Sequence, residues 1–197
     1  MTSSAAEDWL AQVVIEGLSS GSPVEIDGLG VFHPDGAAGF RFEPCPPRVF
    51  IAYAREDSDA AGRLFRDLAH AGFAPWMDAK NLVPGQDWPR AIECAIETAD
   101  FFVACFSRQA AARRGGFQAE IRYALDCARR VPLDDIFLAP VRLDECRVPR
   151  AIKREVQYLD LFPDWARGIR RLIRMLRGES LRRARRQAEA RAAARQA

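Results

Sequence analysis

Residues 48–57 read RVFIAYARED, and this stretch decides the fold. Val49 to Tyr53 is an unbroken apolar run behind the Pro46-Pro47 pair, the pattern of a strand covered on both faces of a sheet rather than wetted on one. It is expected to be the central strand. Ala54-Arg55-Glu56-Asp57 then brings charge to its carboxyl end, where open α/β sheets place their ligand crevice. Any chemistry the chain performs is expected there.

Downstream of this stretch, strand and helix patterns alternate. A helix over 57–71 places Ala61, Leu64, Phe65 and Leu68 on one stripe and ends at Gly72. A short strand at 73–78 leads through AKNLVPGQDW to a helix at 87–99 and then a strand at 100–107. After Gly115-Gly116 come a helix at 117–130, strands at 136–143 and 156–161, and a last helix from Pro163. Five such units predict an α/β fold, a five-stranded parallel sheet in flavodoxin-like order with helices on both faces.

Upstream, Trp9, Leu10, Val13, Val14 and Leu18 recur at helical spacing within residues 7–19. The following stretch alternates with Gly at turn positions, predicting strands near 23–27, 30–33 and 39–43. This helix-plus-hairpin resembles the start of the bacterial histone-like HU fold, with Gly21, Val24, Gly28, Gly30 and Phe32 at the matching positions. The basic DNA-gripping arms of that family have no counterpart here, so the segment reads as a small docking or dimerisation element. The chain thus divides into an appendage at 1–44, a main domain at 48–176 and an Arg/Ala-rich tail at 177–197.

At 197 residues and 49% hydrophobic, the chain is long enough for one well-cored domain and an appendage. Its net charge of +2 hides an asymmetry: eleven arginines and two glutamates from Arg167 onward give that end +9 and leave −7 for residues 1–166. Five scattered cysteines without a C-x-x-C pair argue for a reducing compartment, and Cys94, Cys105 and Cys127 sit in apolar patterns as small core residues. His33 and His70 are the only histidines, too few for a His-rich metal site or a Ser/His/Asp triad. MTSSAAEDWL lacks a basic stretch followed by an apolar core, so no signal peptide is expected, and no run approaches the ~20 apolar residues of a membrane span. A cytoplasmic, metal-free protein without membrane contact is expected.

Beyond the alternation, the motifs themselves are similar to those of a known family. RVFIAYARED, with Phe50, Ile51, Tyr53 and Asp57 in place, is followed by the W-x-D of Trp76 and Asp78 and by Leu82, Pro84, Gly85 and Trp88 in L-x-P-G-x-x-W. PVRLD at 140–144 and FPDWARGIRRLIRML near the end complete the series. Over residues 48–176 the sequence resembles the Toll/interleukin-1 receptor (TIR) domain in its bacterial form.

The resemblance implies one of two activities. Many bacterial members cleave NAD between nicotinamide and ribose, with a glutamate one turn into the helix after the third strand; the matching residue is Glu120 in GGFQAEIRYAL. Nicotinamide leaves neutral from a pyridinium, so no general acid is needed. A carboxylate at the ribose hydroxyls suffices to stabilise the ribosyl cation. NAD is then a substrate and no cofactor is required; water gives ADP-ribose, and attack by adenine gives a cyclic product.

By the same resemblance Tyr53 and Ala54 wall the nicotinamide side, Arg55 meets the pyrophosphate, and Trp88 stacks on a ring of the substrate. Catalytic members carry an aromatic residue four places before the glutamate; here that place holds Gly116, with Phe117 next to it as the candidate replacement. Leu82, Pro84 and Gly85 belong to the loop through which such domains contact one another head to tail, so other TIR domains are implied partners. The reading is an NAD glycohydrolase or cyclase in bacterial defence or stress signalling that depends on self-assembly. The alternative is a non-catalytic adaptor or host-directed effector acting through an unidentified protein partner. The tail lacks interleaved aromatics and an apolar stripe beyond Leu181, so it reads as a solvated, fraying helix rather than a nucleic-acid site.

Overall fold

The computed structural model describes residues 3–26, 30–36, 39–82, 85, 87–112, 116–132, 134–149, 152 and 156–194. The chain forms two units, Met1–Pro46 and Pro47–Ala197. In the first, α1 (Ser3–Ser19) precedes an antiparallel sheet of β1 (Val24–Ile26), β2 (Gly30–Asp35) and β3 (Gly39–Pro44). The helix is longer than its periodicity predicted, and Trp9 stands 65% exposed rather than packed. Phe32 pairs with Phe42 across β2 and β3 and also meets Phe40, giving the sheet one aromatic face. Gly28, one position of the HU-like pattern, lies outside the described residues.

The second unit is built on β4 (Arg48–Ala52), β5 (Ala74–Trp76), β6 (Phe101–Phe106), β7 (Leu138–Arg142) and β8 (Leu159–Asp160). All neighbours pair in parallel, in the order β5-β4-β6-β7-β8, the flavodoxin-like arrangement expected. The first strand is interior but not central: β6 holds the middle place, and β4 lies one position toward the edge. Both strands are covered on both sides, so their composition alone does not rank them.

Alternation along these two strands fills two cores. Val49, Ile51, Phe101, Val103 and Cys105 pack with α2 (Ser58–His70) and the last helix, α7 (Trp165–Ala194). Phe50, Ala52, Phe102, Ala104 and Phe106 pack on the other side with α4 (Trp88–Glu97) and α6 (Gly116–Ala128). Across that second face Trp76, Phe50 and Phe102 stack in a row at 4.8 and 5.2 Å between ring centroids. Two short helices, α3 (Asp78–Asn81) and α5 (Arg108–Ala112), were not expected; α3 begins on the last residue of the strand expected at 73–78, which ends at Trp76 instead. Gly72 stops α2 with φ at +83°, a conformation that costs glycine no Cβ clash.

The carboxyl end differs most from expectation. The boundary placed at 176 falls inside a single helix running to Ala194, and its inner stripe continues through charged residues. Ile169, Leu172 and Leu176 are followed at helical spacing by Glu179, only 2% exposed, and Arg183. Arg183 donates to the carbonyls of Asp100 (3.0 Å) and Ile136 (2.9 Å), pairs with Glu179, and lies over the Phe101 ring. Glu179 accepts from the Ile136 N–H at 3.2 Å, and Arg186 pairs with Asp135. A stripe of paired charges carries no apolar signature, which is why this segment read as solvated. Cys94 is likewise exposed rather than in the core, because it falls on the outer side of α4.

Farther back on α7, Gly168 lies against the backbone of β8: an added Cβ would sit 2.6 Å from the Asp160 carbonyl oxygen and 2.7 Å from Leu161 Cα. Gly168→Ala is therefore expected to destabilise the fold by roughly 1–3 kcal/mol through overpacking, measurable by urea unfolding.

Candidate functional site

Three strands deliver the site. β4 ends at Ala52, and Tyr53 and Ala54 lead into a 3-10 turn over Arg55–Asp57 that is closed by the Asp57 N–H donating to the Ala54 carbonyl at 2.8 Å. β5 ends at Trp76, and α3 begins at Asp78. β6 leads through α5 to the start of α6 at Gly116. Three successive crossovers thus meet at the carboxyl edge of the parallel sheet, the position anticipated for a ligand crevice.

The crevice is a cleft of about 370 Å³. Tyr53, Ala54 and Arg55 line it from β4, Asp78 from α3, and Phe117 and Glu120 from α6. Ile121 and Ala124 are buried against the sheet, which turns Glu120 toward the cleft and leaves it half-buried. Burial pushes the Glu120 carboxyl up to about 7, and the negative charge of Asp78 adds to the effect. Tyr53 Oη donates to Asp78 Oδ1 at 2.6 Å. Burial first, then this bond and the Asp78 charge, raise the phenol above its ordinary value, so Tyr53 stays a neutral donor. Arg55 is exposed at the mouth. Asp57 is engaged by Ser107, whose hydroxyl donates to it at 2.6 Å, and burial raises its carboxyl above the usual range.

Not every expected residue joins this group. Trp88, 56% exposed, lines a neighbouring groove of about 620 Å³ between α4 and α6 instead of the cleft beside Tyr53. The two cavities share Ile92, Gly116 and Glu120. Asp87 caps α4 by accepting from the Arg90 N–H at 3.4 Å, and this places Trp88 at the helix start with its ring outward. Phe117 meets Phe106 edge-on at 5.6 Å and is 9% exposed, so it forms the floor of the cleft and not a side wall. An added Cβ at Gly116 would meet nothing within 4 Å, so the wall position is open. In the loop, Leu82 is half-buried, Gly85 is exposed with φ at +89°, and Pro84 lies outside the described residues.

The residue that the sequence reading passed over is Asp78. Its place in W-x-D marks the motif without marking a role, and its position directly after a parallel strand is the available signal. A further cavity, about 410 Å³, opens at the amino ends of β4 and β5 beside Arg48 and Ala74, away from this edge. Among the described residues, no three His, Cys, Asp or Glu side chains gather in a group that could hold a metal ion, and no helix is long and apolar enough to cross a membrane.

Comparison with known proteins agrees with this architecture. A curated relative, the uncharacterized protein y4cD of Sinorhizobium fredii, is 26% identical over 152 residues; these cover 76% of this chain but 23% of the relative, so the chain spans about a quarter of its length. The TIR domain of the Toll-related receptor TRR-2 from Hydra magnipapillata superposes with a TM-score of 0.54 at 23% identity, covering 66% of this chain and 97% of that one. A metazoan TIR-STING receptor from C. gigas gives 0.54 at 20% identity, over 64% of this chain and 38% of that one. Both likenesses concern the fold. The family model for the TIR domain matches residues 49–173, well over half the sequence and the whole of the parallel sheet apart from Arg48, so the chain belongs to the TIR domain family.

Proposed function

We propose that this domain cleaves NAD at the bond between nicotinamide and ribose, with Glu120 as the residue that faces the reacting sugar. The observation that carries the reading is the placement of Glu120: half-buried at the carboxyl edge of the sheet, in a cleft it shares with Tyr53, Ala54 and Arg55. A carboxylate drawn out of water there acts strongly on a developing ribosyl cation, because little solvent screens it. The departing nicotinamide is neutral, so the site needs no proton donor at the leaving group. Arg55 at the mouth offers a planar fork of donors to a pyrophosphate.

The reaction is expected to be favoured by self-assembly, through the loop that carries Leu82, Pro84 and Gly85, and to serve defence or stress signalling in the cytoplasm. Purified protein incubated with NAD at high concentration should release nicotinamide, followed by chromatography, and Glu120→Ala should abolish the release. No release under assembly-promoting conditions would overturn the reading. The product peak distinguishes ADP-ribose from the cyclic product, which is lighter by one water.

A second reading, a non-catalytic adaptor or host-directed effector working through contact between TIR domains, draws on one observation. Gly116 leaves the wall beside Glu120 open, where the resemblance implies an aromatic ring for catalysis, and Phe117 is committed to the floor. Under this reading Gly116→Trp fills empty space without creating activity. Under the catalytic one it tightens the cleft and raises turnover.

A further inference from the structure

The cleft holds two carboxyl groups, and only one of them belongs to the reading above. Asp78 sits at the first position of α3, and its Oδ1 accepts twice: from Tyr53 Oη at 2.6 Å and from the Ala79 N–H at 2.7 Å. Two donors on one oxygen fix the side chain, so its charge has a defined place in the cleft. The phenol of Tyr53 is spent on this bond and is not offered to Glu120. The other ionisable groups around Glu120 are Arg55 and Glu56 from the turn after β4, Glu93 from α4, and Arg122, Tyr123 and Asp126 from its own helix on the groove side. Asp78 and Glu120 line the same cleft while Arg55 is exposed at its mouth, so the charge that hydrogen bonds hold in place beside Glu120 is a like one.

We propose that Asp78 is a positioning residue of this site: held by Tyr53, its carboxylate opposes the ionised form of Glu120 until a cationic group, such as the pyridinium of an N-glycoside, enters between the two. An empty cleft then holds the proton on Glu120 up to about pH 7. A bound cation balances both carboxylates and drives the Glu120 proton into solvent. The cost of holding two like charges in a partly dry site is thereby recovered when positive charge is present, on the substrate or on the sugar as its bond breaks. This inference rests on the reading of Glu120 as the group facing the reacting sugar.

The test uses the full chain with carbon-13 carboxyl-labelled glutamate, the Glu120 signal being assigned by its loss in Glu120→Gln. In the wild-type protein without ligand the signal should titrate at about 7. Asp78→Asn keeps an acceptor for Tyr53 and removes the charge, so the midpoint should fall by at least about half a pH unit while staying above the ordinary range, because burial remains. Asp78→Glu should restore most of the shift. If Asp78→Asn does not fold, Tyr53→Phe, which releases the Asp78 side chain toward water, should move the midpoint in the same direction by less.

Adding nicotinamide mononucleotide, a pyridinium N-glycoside, to wild-type protein should lower the midpoint, and the effect should be smaller in Asp78→Asn. A midpoint unchanged in both Asp78→Asn and Tyr53→Phe overturns the proposal, even if nicotinamide release from NAD is normal. The midpoint shifting as described, with no variant releasing nicotinamide, leaves the role of Asp78 standing and overturns the assigned reaction. Where release occurs, its acid limb should move to lower pH in Asp78→Asn in step with the titration, a change that a merely structural role for Asp78 would not produce.

Discussion

Glu120→Gln is expected to slow nicotinamide release by about 10²–10³-fold with a smaller effect on KM, the loss seen when one preorganised stabiliser of transition-state charge is removed. The substitution keeps size and hydrogen-bonding capacity while deleting the charge, so it isolates electrostatics from packing. In the wild-type protein the working form is the carboxylate, and its proton leaves at about 7. At NAD concentrations well below KM, where the free enzyme's titration governs, the rate should therefore rise with pH through that value and fall to about a tenth of its plateau one unit below it. A flat profile between pH 5 and 9 would remove Glu120 from the reaction.

The same group has a thermodynamic signature of the opposite sense. Its ordinary value is 4.5 and its folded value about 7. Below 4.5 both folded and unfolded chains hold the proton, and Glu120 costs nothing. Between the two values the unfolded chain loses its proton first, so the native state is progressively penalised; above 7 the penalty is complete. Glu120→Gln should accordingly stabilise the protein at pH 8 by on the order of 1–2 kcal/mol, discounting for partial solvation, and leave stability unchanged at pH 4. A variant that is slower and more stable is the signature of a residue kept for function at a cost to the fold.

The second large effect is structural and lies at the opposite end of the sheet. Glu179→Ala should destabilise the second unit by about 2–3 kcal/mol at pH 7, because it leaves the Ile136 N–H and Arg182 without their acceptor and Arg183 with Asp135 as its remaining carboxylate at 3.4 Å. For a protein of this size that corresponds to a fall in Tm of roughly 5–10 °C, read by calorimetry. Burial alone would raise the Glu179 carboxyl, but hydrogen bonds from Arg182, the Ile136 N–H and Arg183 outweigh it and hold the group below its usual 4.5. Its contribution is thus present above 4.5 and is lost as pH falls further, so the gap between wild type and variant should narrow in acid. A double-mutant cycle with Arg183→Ala should recover a coupling of at least about 1 kcal/mol; additive losses would show that the pair does not act as a unit. The same argument predicts that truncation after Arg177 is not a harmless removal of a solvated tail.

What could be read without coordinates was whatever leaves a period or a motif in the chain. Two unbroken apolar strands with helices between them dictated a parallel sheet covered on both faces, and Glu120, one turn past a glycine pair, was legible from its motif. Periodicity also found the helix-plus-hairpin of the first unit, since alternation and turn glycines are local signals. Its weakness was any residue whose role depends on a partner distant in sequence. The Tyr53–Asp78 bond joins residues 25 apart, and Arg183 meets a carbonyl 83 residues away. Charged side chains at a buried position look identical in sequence to solvated ones until the partner is placed, which hid the docking of Glu179 and Arg183. Trp88 and Phe117 show the converse: both are aromatic beside the expected crevice, yet the helix start turns one outward and the core claims the other. Sequence determined the fold because strand and helix patterns are local, and it nominated Glu120 through the resemblance of its motif. Tertiary structure alone decided which side chains surround that residue, because that depends on where three separate strands end.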